Sequence, residues 1–168
     1  MNARSETPRI VLVTPPDAHE LAREMAPAGF ELVITAPSRP DYAAALEPAE
    51  YLVGFVDMLV KEPLYRAAPR LKLIQLLSAG YDRADIAAAR RAGVPISNNG
   101  GANAVAVSEH ALLLMLAVSR SLVWQHASVS AGRWRGNNTP RIHELRGKTL
   151  GIIGLGTIGK KTARLAQA

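Results

Sequence analysis

Three glycines near the end of the chain, Gly154, Gly156 and Gly159, have the spacing G-x-G-x-x-G. They follow the apolar run TLGII and precede a helix-forming stretch, which is the context in which this spacing binds the pyrophosphate of a dinucleotide. Gly154 permits a tight turn, Gly156 lets the backbone approach a phosphate, and Gly159 lets the helix lie close to the strand. The N–H groups of the first helical turn then bind phosphate oxygens. The alternative is a glycine-rich turn without a ligand.

A second candidate site is the stretch LLSAGYD, in which Ser78, Ala79 and Gly80 follow an apolar run. Ligands of open α/β sheets bind where strands end, and successive backbone N–H groups in such a turn form a nest for an anion. A carboxylate would fit this nest. The residues alone favour an ordinary strand-to-helix turn, because Asp82 and Asp85 are typical of the start of a helix.

Composition and charge limit the classes of function. The chain has no cysteine, so it has neither a disulfide framework nor a thiolate metal site, and we expect no bound metal. The formal net charge is +6, with the basic excess in residues 61–168. A basic surface can bind nucleic acid, but no helix-turn-helix, zinc or RNA-binding motif accompanies it. We favour the explanation that an incomplete domain is counted without its acidic remainder, and we expect no nucleic-acid partner.

Hydropathy indicates a soluble, cytoplasmic protein. The N-terminal apolar run, Ile10 to Val13, is too short for the core of a signal peptide. The longest apolar run, Ala111 to Val118, is well below the roughly 20 residues of a membrane span. We therefore expect no membrane partner.

The first hundred residues alternate between short apolar runs and alanine-rich segments. The apolar runs predict strands, and the segments HELAREMAPAG, DYAAALEP, EPLYRAAPR and DRADIAAARRAG predict helices, with Gly29 and Gly93 as stop signals. Five strands with helical crossovers predict a flavodoxin-like, doubly wound α/β domain that ends near Asn98. The predicted strands are Arg9 to Thr14, Glu31 to Thr35, Tyr51 to Phe55, Leu73 to Leu77 and Val94 to Ser97.

Four turn-forming residues, Asn98 to Gly101, mark the boundary of a second domain. Beyond them Asn103 can cap one long helix, Ala104 to about Ser130, and a basic loop leads to a final strand, Thr149 to Ile153. Four apolar residues of the helix share a face at helical spacing: Val107, Leu114, Val118 and Leu122.

Three motifs occur in a family-specific order and spacing: LKLIQLLSAGYDRADIAAARRAGVPISN, GANAVAVSEHALLLMLAVSR and ELRGKTLGIIGLGTIG. In these motifs the chain resembles the D-isomer-specific 2-hydroxyacid dehydrogenases, relatives of phosphoglycerate and formate dehydrogenases. The resemblance covers residues 71–168 well and the first seventy residues only in pattern. It implies a substrate-binding domain, residues 1–98, followed by the first part of a Rossmann-type NAD(P)-binding domain, residues 99–168.

The resemblance also implies roles for single residues at the substrate end. Ala79 and Gly80 match a loop whose backbone meets the substrate and the nicotinamide end. Asn103 and Val107 match residues near cofactor and substrate, and we assign Asn103 to the substrate and Val107 to the cofactor.

Further matches and departures concern the cofactor. With the three glycines, Thr157 and Ile158 match the dipeptide that contacts the pyrophosphate. Relatives often have Arg at the position of Thr157, so a phosphate-facing charge is replaced by a hydroxyl donor. Ser108 stands where relatives often have Ala, and Glu109 matches a family glutamate for which we favour a structural role.

The family's reaction transfers a hydride between C2 of a D-2-hydroxy or 2-oxo acid and the nicotinamide of NAD or NADP. In relatives a His paired with a carboxylate moves the proton, and an Arg holds the substrate carboxylate. These three residues lie downstream of Ala168 in relatives, as does the acidic residue for the adenosine ribose. We therefore expect a coenzyme domain truncated in its first β-α unit, and an inactive 168-residue chain. The four histidines, His19, His110, His126 and His143, match no catalytic position.

Two alternatives to a working dehydrogenase stay open: a non-enzymatic dinucleotide-sensing protein of the same fold, and a product that acts by pairing with other subunits. The resemblance also implies a homodimer. In relatives the long helix and the following loop pair subunits, and residues 104–145 here contain Leu122, Val123 and Trp124.

Overall fold

Five apolar runs pair as parallel strands in the first of two units, Met1–Gly100. In this computed structural model, which describes residues 7–134 and 138–167, the sheet has the order β2-β1-β3-β4-β5. Every neighbouring pair is parallel, and this order is that of flavodoxin-like doubly wound folds. The predicted fold class is therefore confirmed. The strands are β1 (Arg9–Val13), β2 (Glu31–Ile34), β3 (Ala49–Gly54), β4 (Leu73–Leu76) and β5 (Ile96–Ser97).

Short helices connect these strands: α1 (His19–Glu24), α2 (Tyr42–Leu46), α3 (Glu62–Ala67) and α4 (Ile86–Ala92). The helix predicted to reach Gly29 ends at Glu24, because Pro27 disfavours helical backbone at the residue before it. Gly93 ends α4 in the left-handed conformation, with a φ of 69° that suits glycine.

The core lies mainly on one face of the sheet. Val11, Leu52 and Ile74 are partners in the register and Leu76 lies two residues beyond Ile74, so these four fully buried side chains share that face. Each such side chain contributes about 1.5 to 3 kcal/mol through burial. At the end of β3, Gly54 has a φ of 153° and lies against the carbonyl of Val13, so that no other residue fits there without displacing β1.

The start of α4 depends on one side chain. The carboxylate of Asp85 accepts a hydrogen bond from the N–H of Ala88 at 2.8 Å, whereas Asp82 makes no such bond in the part of the chain that the structure describes. We expect Asp85→Ala to lower the free energy of unfolding by about 1 kcal/mol, because an N-cap is lost. Urea denaturation measures the change. Asp82→Ala is the control and should stay within about 0.5 kcal/mol of the wild type; equal losses in both variants would contradict the capping role.

The second unit, Gly101–Ala168, contains α5 (Ala104–Ser119), α6 (Leu122–Ser130) and α7 (Thr157–Gln167). The predicted single helix from Ala104 to Ser130 is wrong, since α5 and α6 are bent by 64° around Ser121, which has a φ of 50°. The carbonyl of Ser119 accepts the N–H of His143 at 2.8 Å, and this bond replaces the one that a continuous helix would make. Asn103 precedes α5, but its side chain makes no capping hydrogen bond.

The predicted strand from Thr149 to Ile153 is also wrong. This segment is not assigned to a strand in the described part of the second unit, because a strand needs a hydrogen-bonded neighbour and none lies beside it there. Ile153 is fully exposed.

The apolar face predicted on the long helix is exposed in this unit, most strongly at Val118, of which 79% is accessible. No single helix among the residues described is long and apolar enough to cross a membrane, although α5 and α6 taken together as a bent pair have the required length and composition.

Candidate functional site

The segment 78–82, which we call the β4 loop, follows the carboxyl end of β4 in the first unit. Its carbonyl groups are held by hydrogen bonds. The Ser78 hydroxyl donates to the Gly80 carbonyl at 2.8 Å, and the Asn98 amide donates to the Ala79 carbonyl at 2.7 Å. The N–H of Asn99 donates to the Ser78 carbonyl at 3.0 Å. Three successive carbonyls are thus directed into bonds with neighbouring groups of the protein.

The N–H groups of the same loop are free. Within the described residues, neither Ala79 nor Gly80 donates its N–H to any acceptor, and Gly80 is exposed. Successive N–H groups without acceptors at the end of a parallel strand can bind an anion. The β4 loop therefore offers two free backbone donors to an anion such as a carboxylate.

Gly80 keeps the surface of this loop open. Its φ is not positive, so the backbone itself does not require glycine. A Cβ at this position would contact only Oδ2 of Asp82, at 3.2 Å. Of the two effects that a side chain here could have, strain and blockage of the anion site, the geometry supports blockage.

Sequence reasoning missed the role of Asn98, which it assigned only to a boundary turn. The side chain lies directly after β5 and reaches across to the loop after β4, the neighbouring strand. An amide residue at the end of a strand next to a candidate loop was the available signal.

The segment Gly154 to Gly159 of the second unit, which we call the glycine turn, brings the backbone of the turn close to the start of α7. Gly154 has a φ of 90°, which favours glycine. A Cβ on Gly159 would overlap the carbonyl oxygen of Gly154 and lie 3.5 Å from Cγ2 of Ile152. A Cβ on Gly156 would meet nothing within 4 Å, so this position faces open space.

The first turn of α7 supplies further donors. The N–H groups of Thr157, Ile158 and Gly159 have no acceptor among the described residues, as is normal for the start of a helix. The turn before α5 lies beside this helix start, because a Cβ on Gly101 would be 3.6 Å from Cγ2 of Thr157. Free N–H groups and the helix dipole favour a phosphate here.

The remaining predicted residues lie on or next to α5. Val107 is 38% exposed, and Asn103 is exposed. Ser108 is buried, and its hydroxyl donates to the carbonyl of Val105 at 2.7 Å, so a polar group replaces the usual Ala without losing its hydrogen bond. Glu109 is exposed and has no partner within the described residues, which gives no support to the structural role expected for it.

Other polar groups do not form a second centre. Among the described residues no cluster of three His, Asp or Glu could hold a metal ion, and none of the four histidines contacts a carboxylate. At the opposite, amino-terminal edge of the sheet, Glu50 is buried beside Lys72 at 2.7 Å. The hydrogen bond to Glu50 raises the pKa of Lys72 above its ordinary value. Because ligands bind at the carboxyl edge, this ion pair stabilises the fold.

A family model gives the first comparison with known proteins. The model for the D-isomer specific 2-hydroxyacid dehydrogenase, catalytic domain, matches residues 10–164. The chain is 35% identical over 159 residues to a D-3-phosphoglycerate dehydrogenase of Archaeoglobus fulgidus, covering 94% of this chain and 30% of that protein. It is 35% identical over 138 residues to a glyoxylate reductase of Thermococcus litoralis, covering 79% of this chain and 42% of the relative.

Solved structures agree with this match. The D-lactate dehydrogenase of Aquifex aeolicus, complexed with NAD and lactic acid, superposes with a TM-score of 0.81 at 27% identity, over 94% of this chain and 48% of that one. The NAD-dependent formate dehydrogenase of Staphylococcus aureus, in complex with NAD, gives 0.76 at 27% identity, over 94% and 52%. The chain thus spans about half of these solved chains and less than half of the two curated relatives. The chain belongs to the D-isomer specific 2-hydroxyacid dehydrogenase family, as its three motifs predicted.

Proposed function

We propose that this chain supplies the acid-binding loop and the pyrophosphate-binding turn of an NAD(P)-dependent oxidoreductase that transfers a hydride between nicotinamide and a D-2-hydroxy acid or its 2-oxo acid. The observation that carries the proposal is the β4 loop, in which the N–H groups of Ala79 and Gly80 are free while the carbonyls are held. These two groups bind the substrate carboxylate. For Asn103, in the second unit, the family resemblance implies a role in substrate binding.

The second unit binds the dinucleotide. The three N–H groups at the start of α7, from Thr157 to Gly159, hold the pyrophosphate, and the open space at Gly156 lets the phosphates approach the backbone. Val107 contributes an apolar contact to the cofactor. The NAD found with the lactate and formate dehydrogenase relatives supports NAD as the cofactor, and NADP is the alternative. When bound, the cofactor supplies or accepts the hydride.

We assign proton transfer and the second contact to the substrate carboxylate to groups other than the residues named above. The family resemblance implies a His paired with a carboxylate and an Arg for these roles, and no histidine described here contacts a carboxylate. The lack of cysteine fits a reducing compartment such as the cytoplasm. We propose a small-molecule acid as the substrate, with neither a nucleic-acid nor a membrane partner.

The test is Gly80→Val in the full-length protein that contains this chain. The valine side chain covers the two N–H groups, so we expect the KM for glyoxylate or hydroxypyruvate to rise by about tenfold or more. The dissociation constant for NADH should not change. Steady-state kinetics and an NADH fluorescence titration measure the two effects.

Gly80→Ala is the matched control, because its Cβ meets only the mobile end of Asp82 and should have a small effect. If Gly80→Val has the kinetic constants of the wild type, the β4 loop does not bind the substrate. Dinucleotide binding without turnover of any 2-oxo acid by the wild-type protein would favour the dinucleotide-sensing alternative.

We further propose a homodimer formed through residues 104–145, of which 135–137 lie outside the described residues. Val123 is 81% exposed and Trp124 is 39% exposed, an accessibility that is unusual for large apolar side chains. Light scattering of the full-length protein should give the mass of a dimer at micromolar concentration. Val123→Glu should shift it toward monomer, and Met25→Glu, at a residue of the first unit that is 73% exposed, is the control. A wild-type monomer would contradict the proposal.

A further inference from the structure

A buried carboxylate lies beside the β4 loop, on the side of the sheet toward β3. Asp57, in the short 3₁₀ turn Asp57–Leu59 that follows β3, is only 7% exposed. Arg83, which follows the β4 loop, donates from Nε to Oδ2 of Asp57 at 2.8 Å and from Nη2 to Oδ1 at 3.3 Å. Two-pronged contacts of this kind fix geometry as well as charge, because both groups are planar.

The guanidinium directs each of its three nitrogens to a group of the protein, which uses three of its five N–H donors. Its Nη1 lies 2.9 Å from the sulfur of Met58, and the other two nitrogens face Asp57. Arg83 thus has the geometry of a group that holds other parts of the protein in place, although 65% of its side chain is exposed.

The β4 loop is held by contacts on two sides, and the Asp57–Arg83 ion pair belongs to one of them. On the β5 side, the Asn98 amide holds the Ala79 carbonyl at 2.7 Å. On the β3 side, Arg83 lies three residues beyond Gly80, and the N–H of Asp85 donates to the carbonyl of Val60 at 2.8 Å. The loop is therefore bound to both neighbouring strand ends.

We propose that the Asp57–Arg83 ion pair positions the β4 loop for the substrate carboxylate, which makes both residues positioning residues of the acid-binding site. The inference rests on the proposed function. Without Arg83 the carboxylate of Asp57 is buried and unpaired, which is unfavourable, so the turn must move to bring it to water. That movement loosens the β4 loop on its β3 side and displaces the N–H groups of Ala79 and Gly80.

The test uses the full-length protein with Arg83→Ala, Arg83→Lys and Asp57→Asn. We expect Arg83→Ala to raise the KM for glyoxylate and the inhibition constant of oxamate, a non-reacting carboxylate, by about tenfold, since small displacements in a binding site cost up to about 10²-fold. The dissociation constant for NADH should stay at the wild-type value. Amide exchange of the peptide 77–85 should become faster. Arg83→Lys should recover part of the loss, because one ammonium cannot bind both carboxylate oxygens in the same plane.

Arg91→Ala is the matched control, since Arg91 forms an exposed ion pair with Glu62 at 3.2 Å, at the far end of α4. It should leave the KM, the inhibition constant and the loop exchange unchanged. Unchanged KM and loop exchange in Arg83→Ala would overturn the inference, and so would an equal loss of NADH binding, which indicates general destabilisation. If Gly80→Val raises the KM while Arg83→Ala does not, only this inference fails. If neither does, the proposed acid-binding site fails.

Discussion

Gly159→Ala is expected to weaken dinucleotide binding by about 10²-fold. The added Cβ overlaps the carbonyl oxygen of Gly154, which belongs to the backbone and cannot move without displacing the turn. A displaced turn no longer presents its N–H groups in the geometry that the pyrophosphate requires, and a displacement of about 1 Å in a binding site costs up to roughly 10²-fold. An NADH fluorescence titration of the full-length protein measures it.

Gly156→Ala separates effects on the ligand from effects on the fold. Its Cβ meets no atom within 4 Å, so the melting temperature should stay that of the wild type while NADH binding weakens. Gly159→Ala should lower both. Wild-type NADH affinity in Gly159→Ala would show that the turn does not hold the pyrophosphate.

A polypeptide of residues 1–168 is expected to show no measurable oxidation of NADH or NADPH with glyoxylate, hydroxypyruvate or pyruvate. The described residues include no histidine paired with a carboxylate, and loss of general acid–base catalysis alone reduces rates by about 10² to 10⁴-fold. Weak dinucleotide binding should persist, because the glycine turn and the start of α7 suffice for it.

The full-length protein, assayed beside it with the same substrates, is the control for this prediction. Comparable turnover by the two polypeptides would show that the proton-transferring groups lie within residues 1–168 and that their placement here is wrong.

The sheet was predictable from sequence because each strand is marked by a short apolar run of its own residues. The predicted runs are mostly apolar, as is typical of strands in a helix-covered parallel sheet, and each overlaps an observed strand. The first and third glycines of the turn were equally predictable in type, since their positions require glycine for backbone reasons: a positive φ at Gly154 and a close approach at Gly159.

The errors concern structure that depends on distant residues. The break between α5 and α6 coincides with a hydrogen bond from His143 to Ser119, which no helical pattern in residues 104–130 contains. The run Thr149 to Ile153 has the composition of a strand but has no neighbouring strand among the described residues, so apolar pattern alone predicted the wrong state.

The candidate acid-binding site shows the same limit. Its loop was a candidate from its position after a strand and was favoured over an ordinary turn only through the family resemblance, whereas Asn98, which bonds the loop, and Asp57, which bonds Arg83 beside it, are far from it in sequence. Pairwise contacts of this kind follow from the sheet order, which a single sequence implies only after the fold class is known.

The parallel sheet has a consequence for the order in which a ribosome completes this unit. The interior strand β1 is made before its two neighbours, β2 and β3, which end at Ile34 and Gly54, so it stays unpaired while the connecting segments are synthesised. Chains grow at about 5 to 20 residues per second, and the last contact on the β4 loop, from Asn98, emerges some twenty residues after the loop itself. A nascent chain stalled before that residue would carry the complete Ser78 to Asp82 segment without its carboxylate-binding shape. This site is therefore the last part of the unit to be finished during translation.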